Sequence, residues 1–275
     1  MRVIERFTEA KVPGAPGEDL IVVTDDYLAV MDGCTVRYPR SSETYGGVTS
    51  GRFAVLALAA GIARLASDLD AAEAIAELSQ GLRRSLVDHD LLLDPREADR
   101  PSASAVIFSR ARRQVWRVGD CQFAVDGRSN IRVKAIDRLN NSTRAACIRA
   151  QLLGGVDADW LRRHDVGYEV IDPVVQLQRR FRNLAAPCRF GYGGFDGDPV
   201  PARYQEIFPV AGSQTELIMT TDGYPTVEPS LERAEARLFQ IMHDDPLLIG
   251  RYGSTKPWVP GNNSFDDRAY LRAVV

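Results

Sequence analysis

Acidic residues recur at the ends of the predicted β-strands of this chain. Apolar strands that share a sheet carry such side chains to a common edge, where several carboxylates repel one another unless a cation neutralises them. All-oxygen clusters of this kind suit hard ions such as Mg²⁺ and Mn²⁺. The pattern therefore predicts a divalent-metal site, although an Asp-Gly pair is equally an ordinary turn signal and spacing alone leaves both interpretations open. The residues concerned are Glu18, Asp19, Asp32, Asp120, Asp222, Asp266 and Asp267.

The elements that must position these residues are short β-rich runs and a few amphipathic helices. Strands cluster towards both ends of the chain with helices between them, and strict βαβ alternation is absent, which favours an α+β layered domain. Asp70 with Glu73 three residues on predicts a capped helix start. Strands are predicted over 2–9, 19–31 in two runs, 103–109, 114–118, 122–125, 204–210, 216–220 and 269–275, and helices over 51–66, 70–88 and 230–242.

Length and composition limit the class of protein. A chain of 275 residues suits one large domain, 1–275, with a helical insert predicted at about 137–186 from its Arg, Leu, Ala and Gln content. The net charge of −3 argues against a nucleic-acid partner. The longest apolar stretch, 53–66, is interrupted by Arg64 and is too short to span a membrane. Four scattered cysteines without a CxxC pair indicate reduced thiols, so a cytoplasmic location is expected.

The order of the acidic motifs resembles that of the PPM, or PP2C-type, metal-dependent protein phosphatases. The resemblance extends from about residue 3 to the last residue, and it includes a Ser-Ala-Ser-Ala strand at 102–105 and the pair Gly193-Gly194. Each motif is weak alone, and their joint order is specific. The motifs are Glu18-Asp19, Val30-Met31-Asp32-Gly33, Val118-Gly119-Asp120-Cys121, Thr220-Thr221-Asp222-Gly223 and Asp266-Asp267-Arg268-Ala269.

The resemblance implies an α+β fold in which two antiparallel sheets form a four-layer α-β-β-α sandwich, flanked by helices. It also implies hydrolysis of a phosphate monoester by a water that bridges two Mn²⁺ or Mg²⁺ ions, with a third ion possible in the family pattern. Two such ions lower the pKa of a bridging water and clamp the phosphoryl oxygens for in-line attack. No Ser-His-Asp triad or Cys-x₅-Arg signature is then required.

Carried over residue by residue, the resemblance assigns metal ligands and three catalytic aspartates. Asp32 would bridge the two ions with help from the Gly33 carbonyl, and Asp222 and Asp266 would hold the second ion. These three aspartates are the predicted catalytic residues. Neighbouring side chains of an extended segment point to opposite faces, so Asp266 is expected to face the site and Asp267 to face away. Glu18 and Asp19 would bind metal or orient its waters, and Asp120 would serve a third, weaker ion.

The predicted substrate site departs from the family pattern. The family places an arginine shortly before its acidic pair to bind phosphate bidentately, but residues 11–17 contain none. Lys11 and Arg37 are therefore the predicted substrate-binding residues. Phosphoserine or phosphothreonine on a protein is the substrate that the resemblance favours. A small phosphorylated metabolite of a biosynthetic pathway and a non-catalytic binding module of the same fold remain the alternatives, and the sequence predicts no oligomeric state.

Overall fold

The computed structural model describes residues 1–34, 45–92 and 100–275, and the strands in these ranges form two five-stranded antiparallel sheets. One sheet has the order β1-β10-β9-β6-β7 and the other the order β2-β3-β4-β5-β8. The strands are β1 (Arg2–Glu9), β2 (Leu20–Val23), β3 (Tyr27–Cys34), β4 (Ser102–Ser109), β5 (Gln114–Val118), β6 (Gln122–Val125), β7 (Arg128–Asn130), β8 (Glu206–Pro209), β9 (Glu216–Thr220) and β10 (Arg268–Val274).

The two sheets pack face to face around an apolar core. Because side chains alternate along a strand, Leu28 and Val30 of β3 point into this core with Phe108 of β4, and Met219 and Leu271 meet them from the other sheet. The intervening residues of β3 point to the opposite face. The central strands β3 and β4 are therefore buried on both sides.

Helices cover the outer faces of both sheets. The helices α1 (Ser50–Ile62) and α2 (Ala71–Asp88) pack on the sheet that contains β3, and α6 (Leu231–Asp244) packs on the other sheet. The predicted capped start of α2 is confirmed, since Asp70 accepts from the Glu73 N–H at 2.9 Å and Glu73 accepts from the Asp70 N–H at 2.9 Å. The predicted four-layer α-β-β-α sandwich is thus confirmed.

Three further helices lie between β7 and β8: α3 (Ala135–Leu153), α4 (Ala158–Arg163) and α5 (Val166–Leu177). They enclose a small apolar cluster of Ile148 and Leu161 with Leu247 from the loop after α6. The fully buried Arg144 of α3 joins this helical segment to the same loop by donating to the carbonyl oxygens of Leu247, at 3.0 Å, and Ser254, at 2.9 Å.

Some predicted boundaries were wrong. The second predicted run was expected to end at residue 31, but β3 continues to Cys34 because its pairing with β4 extends to Ser102. The three-residue strand β7 was missed, since its short polar sequence carries no alternation signal. The first helix ends at Ile62, four residues before the predicted end. Among the described residues, no helix combines the length and apolar character that crossing a membrane requires.

Candidate active site

A hydrogen bond across the sheet brings Asp120 to Asp32. Asp32 in β3 stands opposite Ser104 in β4, and the Ser104 hydroxyl donates to Asp120 Oδ1 at 2.7 Å. The turn before Asp120 needs glycine, because Gly119 has a φ of 94° and a Cβ there would lie 2.3 Å from Ser104 Oγ. The Gly-Asp turn after β5 therefore delivers its carboxylate to the end of β3.

A second close approach joins the end of β9 to the start of β10. The Thr221 hydroxyl accepts from the Ala269 N–H at 2.9 Å. A Cβ on Gly223 would lie 2.0 Å from the Asp267 carbonyl oxygen, so the two backbones touch at this point. Asp222 and Asp266 are consequently carried to the same end of the sandwich as Asp32, whose pKa responds to Asp266.

Asp267 holds the loop before β2 against this end. Its Oδ1 accepts from the Lys11 N–H and its Oδ2 from the Glu18 N–H, each at 2.8 Å. Both oxygens of the buried Asp267 are thus used by the backbone of the loop. This contact positions Glu18 and Asp19 beside the other carboxylates.

Asp19, Asp32 and Asp222 are the three carboxylates whose negative charge is least compensated. Asp19 is 4% exposed and neither of its carboxylate oxygens has a hydrogen bond of standard geometry. Burial and the carboxylates of Asp266, Asp267 and Asp222 raise its pKa well above the usual range, and the Thr221 side chain opposes that rise.

The other two members of this set show the same imbalance. Burial, followed by the charge of Asp19, raises the pKa of the half-buried Asp32 well above its usual range. Asp222 opens to the cleft described below, and desolvation by the surrounding protein together with Asp32 raises its pKa in the same direction. Carboxylates that raise one another's pKa in this way favour protonation or a bound cation.

Asp120 and Asp266 differ because lysines neutralise them. The Lys134 ammonium lies 2.7 Å from Asp120 Oδ2, and the ammonium groups of Lys256 and Lys11 lie 2.7 Å and 3.2 Å from Asp266 Oδ1. Although burial acts to raise both carboxyl pKa values, these lysines hold the pKa of Asp120 and of Asp266 below the ordinary value. The carboxylates at this end of the sandwich therefore fall into an uncompensated set and a lysine-bound set.

The fit to the predicted metal arrangement is partial. The oxygens of Asp19 and the raised pKa values of Asp32 and Asp222 fit a hard divalent cation. Asp120 and Asp266, predicted as ligands of further ions, are already bound by lysine. Within the described ranges, no group of three or more His, Cys, Asp or Glu side chains is arranged as a metal site.

A cleft of about 660 Å³ opens beside these carboxylates. Its walls come from α3, from the segment before it and from the loop at 249–255, so the helical segment forms one side of it. Two exposed arginines, Arg138 and Arg251, line the cleft together with Lys134. The carboxylates that line it are Asp120, Asp137, Asp222 and Asp266.

The residues predicted to bind substrate have different outcomes. Lys11 lies at the site through its ion pair with Asp266, and its role towards phosphate stays a prediction. Arg37 lies outside the described residues. Cys34 and Cys121 adjoin the site, and burial raises the pKa of both thiols, so neither is poised as a nucleophile.

Sequence reasoning missed Lys134 and Lys256. A signal was available, because the chain contains only three lysines among its 34 basic residues and all three contact this cluster. The pairing partner of Lys134 could not be read from the sequence, since α3 and the β5–β6 turn meet only in the folded chain. Its ammonium also lies 5.3 Å from the centre of the Tyr192 ring, a cation–π contact that fixes its position.

The fold is that of the PPM or PP2C-type phosphatases, so the predicted resemblance is confirmed in structure. The serine/threonine phosphatase PstP/Ppp of Mycobacterium tuberculosis matches with a TM-score of 0.50 and 12% identity, over 100% of this chain and 99% of its own. The serine/threonine phosphatase Stp1 of Staphylococcus aureus matches with a TM-score of 0.51 and 14% identity, over 98% and 94%. No protein-family model and no curated protein sequence matches the chain.

Proposed function

We propose that this protein hydrolyses phosphate monoesters with the help of a divalent cation, Mn²⁺ or Mg²⁺. The observation that carries the proposal is the uncompensated set Asp19, Asp32 and Asp222, which lies at one end of a PP2C-fold sandwich beside a cleft with basic walls. These three carboxylates would hold the cation. When bound, such an ion supplies Lewis-acid chemistry that polarises a phosphoryl oxygen and lowers the pKa of water.

The cleft walls suit a phosphate group. Arg138 and Arg251 present guanidinium groups that can form charge-assisted hydrogen bonds to phosphate oxygens. Lys11 and Arg37 stay the predicted phosphate ligands. Because desolvation raises the pKa of both nearby thiols, a covalent cysteine mechanism is disfavoured.

Phosphoserine or phosphothreonine on a protein is the proposed substrate. Support comes from the fold, since the matched structures of PstP/Ppp and Stp1 are named as serine/threonine phosphatases. A cleft of about 660 Å³ walled by α3 and the 249–255 loop also suits a small phosphorylated molecule. A phosphopeptide and a small phosphate ester therefore belong in the same assay.

A non-catalytic binding module is the second candidate, and one observation favours it. Lysines occupy two of the carboxylates that the motif series assigns to metal, Asp120 and Asp266. A chain that had lost metal-dependent chemistry could keep its fold with ammonium groups in place of ions. Loss of turnover with retained binding of a phosphorylated ligand would identify this case.

Turnover of p-nitrophenyl phosphate and of a phosphothreonine peptide, measured with Mn²⁺, Mg²⁺ or EDTA, tests the proposed activity. Asp32→Asn should lower kcat/KM by about a hundredfold or more, because it removes a charged ligand from the reacting end of the site. Asp68→Asn, which makes the same charge change at an exposed position, is the matched control and should keep the wild-type rate. Equal activity of both variants, or undiminished turnover in EDTA, would contradict the proposal.

A further inference from the structure

The three lysines of the chain converge from three separate segments on the acidic cluster, which consists of Asp19, Asp32, Asp120, Asp222 and Asp266. Lys11 belongs to the loop between β1 and β2, Lys134 directly precedes α3, and Lys256 lies in the loop between α6 and β10. The other 31 of the chain's 34 basic residues are arginines. A compact ammonium on a flexible stem occupies less space than a planar guanidinium, which suits a crowded group of carboxylates.

Ion pairs with neighbouring carboxylates hold each ammonium group in place. Lys134 Nζ lies 2.7 Å from Asp120 Oδ2 and 3.4 Å from Asp137 Oδ2, and its side chain is 14% exposed. The backbone N–H of Lys11 is fixed by Asp267 at 2.8 Å, while its ammonium reaches Asp266 at 3.2 Å. Lys256 approaches the same Asp266 Oδ1 at 2.7 Å. Two lysines therefore share one carboxylate oxygen.

We propose that these lysines are built-in counter-ions that occupy Asp120 and Asp266, so that the cluster takes a single divalent ion at Asp19, Asp32 and Asp222. The inference takes from the proposed function only the choice of a divalent ion, Mn²⁺ or Mg²⁺. Its test measures binding of the ion and not turnover of a substrate. It departs from the arrangement of two or three ions that the motif series implies.

Competition for the same oxygens carries the inference. A divalent ion such as Mg²⁺ binds carboxylate oxygen at about 2.0–2.1 Å, and an ammonium group already lies 2.7 Å from Asp120 Oδ2 and 2.7 Å from Asp266 Oδ1. An ion there would displace the lysine and leave two positive groups beside one carboxylate. The buried oxygens of Asp19, which lack a hydrogen bond of standard geometry, have no ammonium group as an ion-pair partner among the described residues.

The test is the number of Mn²⁺ ions bound per chain, from isothermal titration calorimetry and from the electron paramagnetic resonance signal of free Mn²⁺. We expect about one ion for the wild type, and a second for Lys134→Met, because Asp120 is then freed. The double variant Lys11→Met/Lys256→Met should also gain an ion, at Asp266. In both variants the added site should bind about tenfold or more tightly than any second site of the wild type.

Charge-matched variants provide the control. Lys134→Met/Asp120→Asn removes the ammonium and the carboxylate together, and should return the stoichiometry to that of the wild type. Asp120→Asn alone should leave the count unchanged, whereas Asp32→Asn should abolish binding. Even if a lysine variant fails to fold, the asparagine variants still test the inference. Loss of the ion in Asp120→Asn, or an unchanged ion count in Asp32→Asn, would contradict it.

Several outcomes would overturn the inference. The first is a wild type that binds two or more Mn²⁺ ions, or none. The second is a folded lysine variant that binds no more ions than the wild type. The third is loss of the ion in Asp120→Asn. A wild type that binds one ion without hydrolysing any phosphate ester would contradict the proposed function alone. The two proposals can therefore fail separately.

Discussion

At the scale of single residues, the adjacent aspartates 266 and 267 have different tasks. Asp266 faces the cleft and pairs with lysine, whereas Asp267 is buried and binds two backbone N–H groups. The two neighbouring side chains therefore have different surroundings, the cleft for Asp266 and the loop before β2 for Asp267. Asp267 is therefore the residue that fixes the loop carrying Glu18 and Asp19.

Asp267→Ala should destabilise the metal-free protein by about 2–4 kcal/mol, because two N–H groups lose charged acceptors and that of Glu18 is buried. The free energy of unfolding from urea denaturation in EDTA measures this effect. Asp267→Asn keeps one acceptor oxygen and should lose roughly half as much. An Asp267→Ala protein within about 0.5 kcal/mol of wild type would show that the loop does not depend on this contact.

The acidic residues of the site could be predicted from the sequence, but their counter-ions could not. Asp120 was predictable because a Gly-Asp turn between two β-rich runs is a local signal. The pairing of Lys11 with Asp266 spans 255 residues, and no local pattern specifies it. What the sequence does contain is the scarcity of lysine, which becomes meaningful only once the three positions are seen together.

At the scale of elements, Arg144 connects the helical segment to the wall of the cleft. Its guanidinium donates to Asp165 Oδ2 at 2.8 Å and to carbonyl oxygens of the loop after α6, and the side chain is fully buried. Asp165 also caps α5 by accepting from the Tyr168 N–H at 2.9 Å. A single arginine thus fixes α3, α5 and the loop relative to one another.

Arg144→Met should cost about 3–5 kcal/mol, since it breaks a buried ion pair and leaves several carbonyl groups without a donor. Hydrogen exchange should quicken in residues 247–254 and in α5, while β3 and β4 keep their protection. Arg149→Met is the matched control, because Arg149 donates to the Ile249 carbonyl oxygen of the same loop from an exposed position. Equal hydrogen-exchange rates in the two variants would show that Arg144 does not fix the loop and α5 in place.

The presence of most strands was easier to predict than the residues at which they end. The runs at 114–118, 122–125 and 216–220 match β5, β6 and β9, because their β-rich sequences are bounded by turn residues. The end of β3 depends instead on how far β4 continues beside it, which is tertiary information. The same limit explains why β7, a three-residue edge strand, left no readable pattern.

At the scale of the whole molecule, the acidic cluster makes stability depend on pH and on cations. The folded-state pKa values of Asp19, Asp32 and Asp222 lie above their ordinary values. At pH values between the ordinary and the raised pKa of these carboxyl groups, the folded chain binds more protons than the unfolded chain. Their contribution to the stability of the fold therefore falls as the pH rises. Asp120 and Asp266 have lowered pKa values, and their contribution is lost only below the ordinary carboxyl pKa of about 4. The two sets therefore act in different pH ranges.

We expect the free energy of unfolding in EDTA to be lower at about pH 8 than at about pH 5, because the folded chain keeps protons on three poorly compensated carboxylates above the ordinary carboxyl pKa of about 4. Mn²⁺ should oppose the decrease, since an ion that binds only the folded chain stabilises it, and its binding strengthens as the carboxylates lose their protons. Urea denaturation at both pH values, with EDTA or with Mn²⁺, provides the comparison. Asp32→Asn removes one of the interacting charges and should show a shallower decrease in EDTA and little response to Mn²⁺. A wild-type stability in EDTA that rises over this range, or a Mn²⁺ effect of equal size at both pH values, would mean that the carboxylate cluster does not govern the pH dependence of the fold.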